Sequence, residues 1–132
     1  VDAPLAAGES SRGTFSIAIV DAERAIAVGG DFQAPDAGDG NAAFSLDGGA
    51  TWQVAATRPG GYRSAVATSP AGLVSVGTAG ADLSTDGGET WTPTDPQPSV
   101  ALNAVAAADG PCALWAVGPD GAVVRWRQSP GG

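Results

Sequence analysis

The chain has one pair of adjacent residues suited to bond chemistry, Tyr62 and Arg63. A tyrosine activated by a carboxylate can act as a nucleophile on a sugar, and arginine binds the carboxylate of a substrate. The glutamates available for this activation are Glu9, Glu23 and Glu89, and Glu89 lies inside a repeated turn motif. We therefore expect a structural pair, with Tyr62 filling the rim of a pocket and Arg63 paired with an acidic neighbour. Glycoside hydrolysis is the alternative.

Loops between the predicted strands supply the remaining candidate ligand-binding residues. The full candidate set is Asp31, Asn41, Arg58, Tyr62, Arg63 and Asp82. The acidic segment 31–41 also holds Asp36 and Asp39, with glycines beside them, but it falls short of the calcium-loop pattern. We expect a solvated insertion there, and the sequence predicts no metal ion and no cofactor.

Composition excludes several classes of function. The chain has 14 acidic residues against 6 basic ones, all arginine, and its net charge of -8 argues against nucleic-acid binding. The absence of histidine and the single cysteine exclude disulfide frameworks, zinc fingers and histidine-based triads within these 132 residues. Cys112 is expected to be a small buried hydrophobic residue rather than a nucleophile. Few large aliphatic residues with strong acidity would by themselves favour disorder.

Internal repeats argue against disorder. Two octapeptides, 45–52 and 84–91, both have the pattern Ser-x-Asp-Gly-Gly-x-Thr-Trp and lie 39 residues apart. Upstream, Ser16 precedes Val28 by 12 residues, and Ser64 precedes Val76 by the same interval. Each of these valines is followed by glycine, and Val117-Gly118 is a third copy. The first repeat differs by an insertion within 31–41.

Each octapeptide has the residues of a tight hairpin turn. The glycines permit positive φ, the aspartate accepts hydrogen bonds from turn amides, and the threonine hydroxyl reaches the same turn. The tryptophan is expected to anchor the next strand in the seam between units. This structural set comprises Ser45, Asp47, Gly49, Thr51, Trp52, Ser84, Asp86, Gly88, Thr90 and Trp91. We expect both aspartates to stabilise turns rather than act as catalytic acids or metal ligands.

The repeats predict an all-β chain, a β-propeller of four-stranded antiparallel blades with about three blades present. Turn signals interrupt the second and third copies, and proline or glycine inside a helix would cost about 3 or 1 kcal/mol. The predicted strands are 15–20, 25–29, 42–46 and 51–55, then 62–68, 73–77, 81–85 and 90–93, then 102–107, 113–117 and 122–127. We expect one partial propeller over 1–132, with the end of a preceding blade at 1–14, blades at 15–55 and 62–93, and an incomplete blade at 102–127.

The octapeptides resemble the Asp box, or BNR repeat, of sialidases and related propellers. The chain from about Gly13 to Arg127 also resembles the bacterial photosystem II stability/assembly factor-like family, through Ala25–Phe32, Asn41–Phe44 and Pro59–Ala67. This resemblance implies Asp-box turns that lie away from the usual ligand face, and a protein-binding role in the photosynthetic members. It also favours a periplasmic or secreted location.

These features together predict a non-catalytic module of a bacterial protein that binds a protein or a carbohydrate. The alternatives are part of a sialidase-like glycoside hydrolase and an assembly factor for a membrane protein complex. Propellers close with about four to eight blades, so three blades leave open sheet faces. We expect the rest of the ring to come from the missing part of a longer chain, which is favoured, or from a second copy in a six-bladed homodimer.

Overall fold

The alternating apolar residues and Gly-rich turns of each repeat form antiparallel β-sheet. The computed structural model describes residues 5, 7–37, 40–69, 72–95, 97–107 and 113–127. Within them, eleven strands form three sheets, and the helical structure is a single 3-10 turn at Pro119–Gly121. No helix in these ranges is long and apolar enough to cross a membrane. Asp39, Cys112 and most of the segment 1–5 lie outside the described residues.

The strands of each sheet lie side by side in chain order, and we call the sheets blades 1 to 3. Blade 1 contains β1 (Arg12–Ile19), β2 (Ala25–Asp31), β3 (Ala42–Ser45) and β4 (Gln53–Val54). Blade 2 contains β5 (Ala65–Ser69), β6 (Gly72–Gly77), β7 (Gly80–Ser84) and β8 (Thr92–Pro93). Blade 3 contains β9 (Ala104–Ala107), β10 (Ala113–Val117) and β11 (Val123–Arg127).

Three strands begin later than predicted, each for a definable reason. The predicted strand 62–68 begins at Ala65. The amides of Tyr62 and Arg63 instead donate to carbonyls that precede blade 2, those of Pro35 and Gly29, each at 2.9 Å. The fourth strands are shorter than predicted because Thr51 and Thr90 bond the aspartates of their own turns.

The repeats also differ in register. Equal spacing in the sequence predicts that Ser16 and Ser64 are equivalent, but Ser16 pairs with Val28 whereas Ala65 pairs with Val76. A β-bulge between Thr14 and Ser16 adds one residue to β1 and shifts the alignment by one position. The bulge leaves Phe15 without a register partner between β1 and β2.

The core lies in the two seams between blades rather than within any one sheet. The first seam packs the blade 1 residues Ile26, Val28 and Phe44 against Leu73 and Trp91 of blade 2. The second seam is a separate cluster formed by Val74, Val76, Ala81, Leu102, Leu114 and Ala116. Fully burying a valine, leucine or isoleucine contributes about 1.5–3 kcal/mol, so each seam is a major source of stability. Each blade therefore depends on its neighbours for stability.

The repeated Val-Gly pair has a steric cause. A Cβ placed on Gly29, Gly77 or Gly118 would lie 2.0–2.1 Å from the carbonyl oxygen of Gly13, Tyr62 or Ala101, respectively. In blades 2 and 3 that carbonyl belongs to the segment entering the first strand, β5 or β9, and in blade 1 it belongs to β1 itself. A side chain at this position would displace the backbone on which the innermost strand depends. The glycine is thus required by close approach and not by its φ angle.

We predict that Gly77→Ala destabilises the protein, because the added methyl group would overlap the Tyr62 carbonyl oxygen. Overpacking of this kind costs about 1–3 kcal/mol, which corresponds to a fall in Tm of several degrees for a domain of this size. Thermal unfolding followed by circular dichroism would measure it. Gly13→Ala is the matched control, since its Cβ would meet only a Phe15 ring atom at 3.9 Å. Equal melting temperatures for the two variants would contradict the steric argument.

Candidate functional site

The blades have two distinct ends. The β1–β2 turn and the octapeptide turn lie together at one end, where the Gly48 amide donates to the Glu23 carbonyl at 2.8 Å. The segments 31–41 and 55–64 meet at the other, where Tyr62 bonds Pro35. We call these the Asp-box end and the loop end. Five of the six candidate ligand-binding residues have described contacts at the loop end, so the structure brings most of that set together.

The two octapeptides form the same hydrogen-bond network. In the first, Ser45 Oγ donates to Asp47 Oδ1 at 2.9 Å and accepts from the Gly49 amide at 2.9 Å. The Thr51 amide donates to the same carboxylate oxygen at 2.8 Å, and its hydroxyl donates to the other. Ser84, Asp86, Gly88 and Thr90 repeat every one of these bonds.

The network holds both aspartates in their charged form. The hydrogen bonds from the Thr51 side chain and amide lower the pKa of Asp47 to about 2. Burial opposes the corresponding shift at Asp86, but the bonds from Thr90 and Ser84 still lower its pKa. A carboxylate with this pKa is a poor general acid, since a catalytic acid needs a pKa near the working pH. The geometry accounts for both aspartates as turn-stabilising groups.

The second octapeptide also docks on the neighbouring blade. Arg24 of the β1–β2 turn donates to the Gly87 carbonyl at 3.1 Å and forms an ion pair with Glu89 at 3.5 Å. Gly88 lies so close to Ile26 that a Cβ there would be 2.6 Å from the isoleucine. Trp91 is fully buried in the first seam, whereas its counterpart Trp52 is half-buried. The octapeptide is therefore an inter-blade contact as well as a hairpin turn.

Arg63 and Asp82 form a buried ion pair at the loop end. Arg63 Nη2 lies 2.6 Å from Asp82 Oδ2, and Arg63 Nε donates to the same oxygen at 2.7 Å. Both side chains are almost fully buried, and Arg63 Nη1 also donates to the Tyr62 carbonyl. Burial raises the pKa of the Asp82 carboxyl above its ordinary value, although the Arg63 charge and hydrogen bonds oppose the shift. The pair connects the segment before β5 to β7. Each charged group is the ionic partner of the other.

Tyr62 belongs to an aromatic cluster. Its ring packs edge to face against Phe15 at 5.3 Å and against Phe32 at 6.3 Å between centroids, and the two phenylalanines are 6.1 Å apart. Tyr62 is buried, whereas Phe15 and Phe32 are 42% and 48% exposed. Burial raises the pKa of the Tyr62 hydroxyl, and the nearby Ser64 side chain opposes the shift.

The remaining candidates have structural contacts of their own. Asn41 is buried and its amide donates to the carbonyls of Pro59 and Gly61 at 2.7 and 2.8 Å, which fixes the loop between blades 1 and 2. Asp31 pairs with Arg12 at 3.1 Å, and hydrogen bonds from Ser11 and Arg12 lower its pKa. Arg58 also lies in the 55–64 segment and is engaged in an interaction. No group of three or more metal-ligating side chains occurs within the described ranges.

Sequence reasoning missed three residues of the loop end. Phe15 was placed in a regular strand, and Phe32 was noted only as part of a resemblance. Their aromatic side chains, flanking the glycine-rich end of β2, were the available signal. Gln97 was also missed: its side-chain amide bonds both the amide and the carbonyl of Ala81, at 3.1 and 2.8 Å, as a neighbouring strand would. Nothing in the local sequence indicates that pairing.

The sequence comparisons agree with the turn geometry. A family model described as BNR/Asp-box repeat matches residues 83–93, which include the whole second octapeptide. No curated protein matches the chain significantly. The matching repeat is an Asp box, and its duplicate at 45–52 has the same turn geometry, so the chain carries Asp-box turns on β-propeller blades.

A solved structure described as "YCF48 bound to D1 peptide" is similar to this chain. The TM-score is 0.65 at 21% sequence identity, and the match covers 89% of this chain and 38% of that one. At this identity the similarity concerns the fold, and it confirms the prediction of a partial β-propeller. The chain thus spans well under half the length of the protein it resembles.

The Asp-box network predicts a specific acid sensitivity. Because the pKa of Asp47 is lowered by folding, its contribution to stability is present above the ordinary aspartate pKa and is lost as pH falls towards 2. We expect Asp47→Asn to lower Tm at pH 6, and the gap to wild type to narrow between pH 4 and pH 2. Thermal melts across this range would measure the gap. A gap independent of pH would contradict the role of the carboxylate charge.

The buried ion pair predicts an asymmetric response to mutation. Arg63→Met leaves Asp82 buried without its partner and should cost about 3–5 kcal/mol. The loss should become smaller as the pH is lowered, because burial raises the pKa of the Asp82 carboxyl and its protonation removes the unpaired buried charge. The double variant Arg63→Met, Asp82→Leu should recover part of the loss, since it leaves no buried charge. Chemical denaturation would test this, and a double variant less stable than the single one would refute it.

Proposed function

We propose that this chain is a non-catalytic propeller module that binds a peptide segment of a protein partner at its loop end. The observation that carries this proposal is the exposed aromatic surface formed by Phe15 and Phe32 over the buried Tyr62. Aromatic side chains are the commonest anchors of protein interfaces because they bury large area at a low cost in conformational entropy. They stand here at the end of the blade opposite the structural turns.

The groups required for glycoside hydrolysis are engaged in internal contacts. The side chain that acts on the Tyr62 hydroxyl is Ser64, which lacks the basicity of the carboxylate that activates a tyrosine nucleophile. Arg63 is neutralised by Asp82 and is buried, so its guanidinium offers no surface to an anionic substrate. These contacts favour a binding role over catalysis.

The similar propeller provides a precedent in its own description, which names a bound peptide. We transfer the class of ligand, a peptide, and not its sequence. The acidic balance of this chain, with a net charge of -8, favours peptides with basic residues beside an apolar or aromatic one.

An array of synthetic linear peptides, varied in basic and aromatic content, tests the proposal together with a panel of fluorogenic glycosides that includes a sialoside. We expect binding to basic peptides with an aromatic residue, and no turnover of any glycoside. Phe15→Ala or Phe32→Ala should weaken the selected peptide about tenfold or more. Leu46→Ala is the matched control, because Leu46 is similarly exposed but lies at the Asp-box end. Equal losses in all three variants, or glycoside turnover that Tyr62→Phe abolishes, would refute the proposal.

A further inference from the structure

We infer that the long connection between β2 and β3 sets the specificity of the loop end, and that its Asp36 binds a basic residue of the peptide held on Phe15 and Phe32. This inference rests on the proposed peptide binding and names the chemistry of the ligand. It is carried by a comparison of the three blades. Blade 1 departs from the repeat at two places, and both departures meet at Tyr62.

The first departure is the length of the connection between the second and third strands of a blade. In blade 2 this connection is the turn 78–79, and in blade 3 it is the 3-10 turn Pro119–Gly121. In blade 1 it is the segment 30–40, which is closed by a bond from the Gly29 amide to the Asn41 carbonyl at 3.0 Å. We call this segment the insertion. Since a short turn joins the same strands in the other blades, the four-stranded sheet does not require it.

The insertion packs on the segment that leads into blade 2. The Tyr62 amide donates to the Pro35 carbonyl at 2.9 Å. A Cβ placed on Gly61 would lie 2.0 Å from the same carbonyl oxygen and 3.4 Å from the Cα of Asp36. These close contacts fix the backbone of Asp36 beside Tyr62, at the seam between two blades that each have four strands.

The second departure is the β-bulge of β1. It lies between Thr14 and Ser16, whereas the register of β5 with β6 is continuous. The ring of the bulged residue, Phe15, packs on Tyr62 at 5.3 Å and on Phe32 at 6.1 Å between centroids. The bulge therefore supplies one exposed ring of the aromatic surface, and the residue that follows β2 supplies the other.

The charges near this surface leave one carboxylate without a counterion. Arg12 pairs with Asp31 at 3.1 Å, and Arg63 is buried against Asp82. Asp36 is exposed, and within the described part of the chain its carboxylate has neither a hydrogen bond nor an ion pair. The aromatic surface thus has an uncompensated negative charge beside it, which favours a cationic group in the ligand.

The ligand that fits both features is an extended peptide with an apolar or aromatic residue and an arginine or lysine nearby. The apolar or aromatic residue would contact the rings of Phe15 and Phe32, and the basic residue would pair with Asp36. An extended peptide advances about 3.3 Å per residue, so we expect the two residues to lie within about three positions of each other. Charge complementarity at an exposed position selects the partner more than it raises affinity.

Matched peptides test the role of Asp36. One set consists of linear glycine-serine peptides with one tryptophan and an arginine one, two or three positions away, and the second set has citrulline in place of arginine. Citrulline keeps the shape of arginine without its charge. In fluorescence anisotropy titrations, the wild-type protein should bind the best arginine peptide about three- to fivefold more tightly than its citrulline counterpart, the scale of one exposed ion pair. In about 1 M salt, where the Debye length is about 3 Å, this preference should disappear.

Variants of the insertion assign the preference to one residue. Asp36→Asn should bind the arginine and citrulline peptides equally, and Asp36→Lys should prefer a peptide with glutamate in place of arginine. Both variants should keep the wild-type Tm, because no described contact involves the Asp36 side chain. Asp95→Asn is the matched control, since Asp95 is also an exposed aspartate at the loop end but lies between blades 2 and 3. It should retain the preference for arginine.

Three results would overturn the inference, and they have different meanings. If the wild-type protein binds both peptide sets equally and Phe32→Ala weakens both, the aromatic surface binds peptides but Asp36 does not select them. If Asp95→Asn loses the preference as Asp36→Asn does, the net charge of the chain is responsible and the insertion is not. If neither set binds, the proposed peptide binding itself is wrong.

Discussion

The packing of one blade against the next is the interaction on which the rest of this structure depends. The small sheets have few contacts to bury within themselves, and their apolar side chains point outward into the seams, where Ile26, Val28, Val74 and Val76 are covered by the neighbouring blade. Such a seam needs apolar side chains to fill it and a first strand that lies close to the second. The repeated Val-Gly pair supplies both, because the valine fills the seam and the glycine makes room for the backbone at the first strand.

The same requirement explains the composition. If the chain had to form one central core, its shortage of large aliphatic residues and its abundant alanine and glycine would indicate that it cannot fold. In a stack of blades, the converging inner strands leave space for alanine and serine, and large side chains are needed only at the seams. The second Asp-box turn adds a polar contribution at the edge of the first seam: its carboxylate organises the hairpin while its glycines and tryptophan contact blade 1.

The sequence was sufficient to predict the strands and the turns because both depend on local residues repeated at a fixed interval. The bond pattern around Asp47 and Asp86 follows from residues within four positions of each other. The loop end could not be predicted in the same way. The pairing of Arg63 with Asp82 and of Gln97 with Ala81 depends on how blade 2 sits against its loops, and no short-range pattern encodes it. The bulge at Phe15 was hidden by a coincidence of spacing, since 12 residues separate both Ser16 from Val28 and Ser64 from Val76.

The seams also determine how the loop end can be used. Tyr62 is fixed by backbone bonds to blade 1 and by the carbonyl contact with Gly77 of blade 2, so the aromatic cluster spans a seam rather than a single blade. The distances between these three rings therefore depend on the angle between blades 1 and 2.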